Sequence, residues 1–345
     1  MDILENVTVI IPAHNRPERL QRLLDYYRGT GLRVIVPDSS DALFTGRMDP
    51  EQVVYLHRPR LHFLLKIREI LPMISTRYVF YCADDDFIVP EAVCEIAEFL
   101  DRNPSYSCAQ GHYLTFTPCG DGVRFTPRYI RNFDSRVDGD SAVERLTGQL
   151  GMYASVLYGV VRTDAFIRTY QYCFDSKGEP RFRNLYLAEE FFHNSMLIHG
   201  CYATLPCFYS AREQIRNSAA QITVPSSVIK NSPEYRPEFD GFVRGLTLLL
   251  SECAGMPESE SEALIRRVVS APADKPSVLF KRRVNAFLDR HPLLGWASRL
   301  SVWRYHQKGL KAVRGLQSYP CTFSTPATEA IVRAVRSGCN VKKDY

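Results

Sequence analysis

A chain of 345 residues with 45% apolar content has room for two domains, or for one α/β domain and an extension, with a full core. No apolar run reaches membrane-spanning length, since Leu248-Leu249-Leu250 stops at Ser251-Glu252-Cys253, and residues 7–11 are too short for a signal-peptide core. Ten cysteines without a CxxC or a regular framework argue against a disulfide-stapled secreted scaffold and for a reducing cytoplasm. The net charge of +5 is modest but uneven. Lys281, Arg282, Arg283, Arg290, Arg299, Arg304, Lys308, Lys311 and Arg314 face Asp289 alone in their segment, so any anionic partner is expected there.

In chain order, the apolar runs at 7–11, 32–36, 53–56 and 78–82 are predicted as strands. The stretches at 18–28, 64–74 and 91–100 are predicted as helices, with Leu20, Leu23 and Leu24 inward on the first and Val93, Ile96, Ala97 and Leu100 on the third. Repeated βα units imply an α/β fold with a mostly parallel sheet flanked by helices. The pattern changes at Tyr106. Residues 106–117 alternate as an edge-type strand, 118–122 form a turn, 123–140 read as a loop, and 156–161 as another strand. Asp164 is the expected N-cap of a helix over 165–170, and a polar loop at 175–183 precedes a helix over 187–200. A strand at 201–205 follows. Pro225, Ser226, Ser227, Ser232 and Pro233 mark a boundary, after which helical periodicity runs to the C-terminus.

Chemistry concentrates where the 78–82 strand ends in Asp84-Asp85-Asp86, followed by a helix-starting Pro90-Glu91. In open α/β sheets, ligands bind beyond the carboxyl ends of the strands. Three adjacent carboxylates repel one another unless a cation neutralises them, and oxygen ligands of this kind suit Mg²⁺ or Mn²⁺ held together with phosphates. The plainer alternative is an Asp-rich turn capping the next helix. The first βα junction, Pro12-Ala13-His14-Asn15-Arg16-Pro17, lacks the glycines of a dinucleotide fingerprint or a P-loop. Pro12 and Asn15 either shape a rigid edge against a nucleobase or simply stiffen a loop.

These segments, in this order, resemble family 2 glycosyltransferases with the GT-A fold. Residues 7–20 are similar to the family's opening, 81–90 to its DxD region, and 34–40 to its second strand, whose acidic residue, here Asp38, reads the base or ribose of a nucleotide sugar. The resemblance implies that Asp84 lies near the ribose and that Asp86, with Asp84, binds the metal bridging the two phosphates. Pro12, Asn15, Arg16 and Asp85 are the further donor contacts it implies, and Lys66 and Arg68 fall where the family often carries a basic residue near the nucleotide. Leu187-Ala188-Glu189-Glu190 resembles the family's late acidic motif, whose second acidic position is the catalytic base. That position is Glu190, with Glu189 as its rival; the family more often has Asp there. A helix N-terminus would favour the ionised carboxylate a base requires, although Glu is common in first turns for electrostatic reasons alone.

Arg212 or Arg216 either closes over the diphosphate or belongs to an ordinary solvated loop. The processive signature Gln-x-x-Arg-Trp is absent, because Gln214-Ile215-Arg216 has another spacing, which points to transfer of a single sugar. His193, His199, Cys201 and Cys207 match no standard zinc spacing and read as packing residues. In the tail, Leu293, Trp296, Leu300 and Trp303 repeat at helical spacing with Arg304, Lys308 and Lys311 on another face. This stripe is read as packing or homo-oligomerisation, with peripheral docking on an anionic membrane as the alternative. No recognised nucleic-acid motif accompanies the charge.

The expectation is therefore a GT-A catalytic domain over 1–224 and a helical basic extension over 225–345. It would act as a cytoplasmic, inverting, non-processive glycosyltransferase using Mn²⁺ or Mg²⁺, a nucleotide-sugar donor and a glycan or lipid-linked glycan acceptor, as in bacterial surface glycan assembly. The rivals are a nucleotidyltransferase on a related sheet, disfavoured by the glycine-poor first loop, and a catalytically silent sugar- or nucleotide-binding scaffold.

Overall fold

A computed structural model describes residues 3–119, 122–128, 135–149, 156–214, 224, 226–270 and 326–337. Its strands are β1 (Val7–Ile10), β2 (Arg33–Asp38), β3 (Val53–His57), β4 (Tyr78–Tyr81), β5 (Phe87–Ile88), β6 (Tyr106–Cys119), β7 (Gly122–Arg128), β8 (Arg136–Val137), β9 (Val160–Arg162) and β10 (Cys201–Glu213). The helices are α1 (Pro17–Tyr27), α2 (Phe63–Ile70), α3 (Pro90–Arg102), α4 (Ala142–Gly148), α5 (Thr163–Tyr172), α6 (Leu185–His199), α7 (Ser226–Asn231), α8 (Arg236–Ala254), α9 (Glu258–Ser270) and α10 (Pro326–Ser337).

One sheet runs in the order β3-β2-β1-β4-β9-β6-β10-β5, with β7 on β6 and β8 on β10. Strands β3, β2, β1 and β4 are mutually parallel, and β6 is parallel to β10. Strands β9, β5, β7 and β8 run antiparallel to their neighbours. The strict alternation of a pleated strand splits the apolar residues between two cores. Val7, Val9, Val34, Val36 and Phe80 join the core shared with α1, α3 and α10. Ile10, Ile35, Val79 and Tyr81 join the one shared with α2, α4, α5, α6, α8 and α9. Each large side chain buried this way contributes on the order of 1.5–3 kcal/mol. The result is the α/β class with a helical C-terminal part that the alternation of elements implied. No helix among the described residues is long and apolar enough to cross a membrane.

Several local expectations are corrected. β6 is interior, lying between β9 and β10, because its polar residues are satisfied inside the protein rather than by water. Ser107 Oγ donates to the Met196 carbonyl at 2.7 Å, and Tyr113 donates to Gln110 Oε1 at 3.0 Å. The stretch expected as a loop supplies β7 and β8, since ladder bonds offered by β6 and β10 override weak local propensity. Of 156–161 only β9 is strand, as the Gly159 N–H turns back onto the Val156 carbonyl at 2.8 Å. α5 starts at Thr163, which puts Asp164 inside the first turn, not at the cap. α6 starts at Leu185, where Asn184 Oδ1 accepts from the N–H groups of Tyr186 and Leu187 at 2.8 and 3.2 Å. Glu189 and Glu190 therefore lie beyond the first turn, where the helix dipole acts less. Arg216, Trp296, Trp303 and the basic stripe lie outside the described residues.

Gly245 gives a direct check of the packing beneath α6. A Cβ there would stand 2.6 Å from the Tyr172 carbonyl oxygen and 2.8 Å from the Phe191 ring, whereas one at exposed Gly148 would meet nothing within 4 Å. Gly245→Ala is expected to destabilise by about 1–3 kcal/mol despite the better helix propensity of Ala, and Gly148→Ala to be neutral or slightly stabilising. Urea unfolding of both variants measures the contrast.

Candidate functional site

The parallel strands bring three loops to one edge of the sheet. The β1 chain continues past Ile10 as the Ala13 N–H donates to the Pro37 carbonyl at 3.2 Å and the Ser39 N–H returns to the Ala13 carbonyl at 3.1 Å. Half-buried Pro12, which has no N–H to offer, sits within this extension. Asn15 then takes φ 54°, a left-handed conformation that Asn tolerates better than most residues. The bend is held from the β2 side. The Asn15 N–H donates to Ser40 Oγ at 2.7 Å, and Asn15 Oδ1 accepts from the Asp41 N–H at 2.9 Å. The next residue, Arg16, reaches across to the end of β4.

There the three aspartates are all buried, at 5%, 9% and 4% exposure for Asp84, Asp85 and Asp86, so each needs a counter-charge. The Asp86 N–H closes the turn on the Ala83 carbonyl at 3.0 Å. Arg16 Nη1 donates to Asp84 Oδ1 at 3.0 Å and to Asp85 Oδ2 at 2.6 Å. Asp86 accepts on both oxygens, from Arg212 Nε at 3.1 Å and from the Glu213 N–H at 3.0 Å. Burial raises the pKa of Asp84 above the ordinary carboxylate range and Asp85 adds to the rise, while Arg16, Arg19 and Lys66 oppose it. Asp86 is raised by burial too, opposed first by Arg212.

Two further expected residues lie close by. Lys66 Nζ donates to the Ala13 carbonyl at 2.9 Å and to Ser39 Oγ at 3.1 Å. Burial lowers its pKa to about 8, against the pull of Asp84 and Asp38. Asp38 ends β2 with both carboxylate oxygens bonded, by three donors in all. Oδ1 accepts from the Ser40 N–H at 2.8 Å and the Ser40 hydroxyl at 2.5 Å, and Oδ2 accepts from the Tyr55 hydroxyl at 2.7 Å.

The two glutamates of α6 part company. Glu190 Oε2 lies 2.7 Å from Lys230 Nζ on α7. Glu189 instead acts on Tyr158, as two of the aspartates do. Burial raises the Tyr158 pKa, Arg212 opposes the rise, and Asp86, Glu189 and Asp85 each add to it. The guanidinium of Arg212 stacks on that same Tyr158 ring, 4.8 Å from its centroid.

Sequence reasoning missed Arg19, Arg22, Glu213, Tyr158 and Lys230. Glu213 accepts from Arg22 Nη2 at 2.7 Å and from Arg19 Nη2 at 3.4 Å, and Arg22 also donates to the Asp85 carbonyl at 3.1 Å. A signal existed for the two arginines. Arg19 and Arg22 are three apart and fall on the same stripe as Leu20 and Leu23, which is the buried side of α1. Nothing local marked Tyr158 or Lys230.

An open cleft of ≈ 550 Å³ adjoins this edge, lined among others by Asn15, Arg16, Asp38, Leu43, Phe44 and Arg47. Neither the three aspartates nor the two glutamates line it. Among the described residues, no three carboxylate, imidazole or thiolate side chains converge as a ready metal shell. The oxygen-only donors Asp84 and Asp86 nevertheless fit a hard divalent cation, which is commonly bound through one or two carboxylates plus substrate phosphates. His193, weighed above for zinc, is buried and bonds through its ring to Gln149.

No family model matches the chain, and no curated protein matches it in sequence. Solved structures with a similar course of chain include S. aureus TarS 1-349 in complex with UDP, at 14% identity and a TM-score of 0.47, over 96% of this chain and 89% of that one. The TarS 1-349 complex with UDP-GlcNAc matches at 13% identity and a TM-score of 0.46, over 96% and 90%. Another S. aureus TarS structure matches at 16% identity and a TM-score of 0.44, over 76% of this chain; this chain spans only 42% of that one.

Lys66 makes the electrostatics measurable. Its folded pKa of about 8 lies below the ordinary 10.5, so between these values the unfolded chain binds more protons and its contribution to stability rises with pH. Thermal unfolding of wild type and Lys66→Met across pH 7 to 10 is expected to show wild type gaining relative to the variant above pH 8. A constant difference would mean that Lys66 is not desolvated.

Proposed function

We propose that the protein is an inverting, non-processive glycosyltransferase that moves one sugar from a nucleotide-sugar donor to a hydroxyl of a glycan or lipid-linked glycan, as in surface-glycan assembly. The observation that carries this reading is the bracketing of three buried aspartates at the end of β4 by Arg16 and Arg212. Both guanidiniums sit at the strand edge where α/β sheets bind ligands, and both have the fork geometry that suits phosphate.

On this reading Arg16 and Arg212 exchange carboxylate for diphosphate contacts as the donor enters. Asp38, at the end of β2, receives a base or ribose donor on lone pairs that its present partners leave available. Lys66 braces Ala13 and Ser39, which fixes the spacing of the two loops between which a nucleoside would lie. Pro12 and Asn15 give that slot a rigid wall. Asp86 and Asp84 would hold Mn²⁺ or Mg²⁺, which supplies positive charge to the departing diphosphate. The acceptor oxygen bonds to the anomeric carbon from the face opposite the diphosphate. The bond from that carbon to the diphosphate oxygen breaks, and its electron pair leaves with the nucleoside diphosphate. The acceptor proton passes to Glu190, the base in the position the resemblance implies.

Calorimetric titration with UDP, with and without Mn²⁺, tests the binding half. Wild type is expected to bind UDP far more tightly with Mn²⁺ present, and Asp86→Asn to lose that gain while still folding. Equal affinity of both proteins would remove the aspartate turn from the donor site. For the chemical half, Glu190→Gln is expected to cut turnover by ~100-fold or more with donor affinity nearly intact. If Glu189→Gln shows that signature instead, the base is Glu189.

A further inference from the structure

Where the resemblance implies aspartate, this chain carries Glu190, so the reacting carboxylate stands on one more rotatable bond. That is a handicap for a base. Proton transfer needs heavy atoms within ~2.6–3.2 Å, and a misplacement of about 1 Å can cost ~100-fold. The structure supplies a restraint on that very group. Lys230 Nζ lies 2.7 Å from Glu190 Oε2, with both side chains only about a fifth exposed, at 19% and 20%. The ammonium comes from an anchored element, since the preceding residue, Ile229, is 1% exposed and belongs to the core shared with α6 and α8. The backbone at the glutamate is held as well. Asn194 Nδ2 donates to the Glu190 carbonyl at 2.8 Å, and Asn194 Oδ1 accepts from Gln149 Nε2 at 2.9 Å.

The geometry points to Lys230 as the positioning residue of the base: its ammonium holds Oε2 of Glu190, so that the acceptor proton is received by Oε1. This inference rests on the glycosyltransferase reading and deepens it. A partly exposed ion pair adds little to the stability of the fold, so the contact matters for geometry rather than for folding. Lys230 touches neither donor nor acceptor in this account and acts through Glu190 alone.

The test uses the full chain as wild type, Lys230→Met, Lys230→Arg, Glu190→Gln and the double variant Lys230→Met/Glu190→Gln. Release of UDP or GDP is followed in Mn²⁺ from UDP-glucose, UDP-galactose, UDP-GlcNAc and GDP-mannose with water as acceptor. Kinetics are taken on the donor turned over fastest. Lys230→Met is expected to lower kcat by ~10-fold or more with donor KM within ~2-fold and little change in Tm. Lys230→Arg should recover most of that loss, and the double variant should be no slower than Glu190→Gln alone, because the two residues act as one unit. Wild-type kcat in Lys230→Met, or a double variant slower than Glu190→Gln by the full Lys230→Met factor, would overturn the role of Lys230. If Lys230→Met does not fold, a kcat of Lys230→Arg indistinguishable from that of Glu190→Gln would overturn it as well. UDP binding in Mn²⁺ separates the levels. Loss of the Lys230 effect with UDP binding intact sinks this inference alone, whereas no UDP binding and no release from any donor sinks the reading beneath it.

Discussion

Glu213 has a side chain only 2% exposed, and two guanidiniums from α1 converge on it while its own N–H holds Asp86. A buried carboxylate in this position has to be paired, and removing one partner of a buried pair typically costs on the order of 3–5 kcal/mol. Arg22 is further fixed by the rings of Phe87 and Phe116, 4.9 and 5.9 Å from their centroids. The pair therefore locks α1, the turn after β4 and the end of β10 to one another. The two arginines that meet the aspartates are placed by that lock. Arg212 precedes Glu213 and so is delivered to Asp86, and Arg16 opens the helix that carries Arg19 and Arg22.

The lock also sets a charge balance. Asp84, Asp85, Asp86 and Glu213 meet Arg16, Arg19, Arg22 and Arg212, and Lys66 is drawn to both Asp84 and Asp38, so five carboxylates face five cations. On the proposed reading, a diphosphate arriving with a divalent cation adds charges of both signs. Arg16 and Arg212 can then move from carboxylate to phosphate while the cation takes their place on the aspartates. Either ligand alone would leave a charge buried without a partner, which is the costly case. Binding of cation and nucleotide would thus be mutually dependent.

The parts of this that the sequence displayed are those with local signals. The apolar runs of β1, β2 and β4 and the abrupt Asp84-Asp85-Asp86 that follows them were legible from residue type and period alone. Asn15 was marked as a loop residue, but its φ of 54° and its tie to Ser40 come from a contact between loops 25 residues apart. Arg19 and Arg22 were hidden because arginine in an amphipathic helix normally faces water, and only the distant Glu213 makes burial tolerable. β6 passed for an edge strand because the partners that satisfy its polar residues lie elsewhere in the fold. The start of α6 at Leu185, set by the Asn184 cap, likewise moved Glu189 and Glu190 inward along their helix.

The central claim, that the aspartate turn with its two arginines is the diphosphate and cation site, is tested most directly by a crystal structure grown with UDP and Mn²⁺. Anomalous scattering would locate the manganese. The account requires a manganese peak at coordination distance from Asp86 or Asp84 and from the diphosphate, with Arg16 or Arg212 turned from carboxylate onto phosphate. UDP bound away from the end of β4, or manganese absent from the aspartate turn with both arginine pairs unchanged, would contradict it.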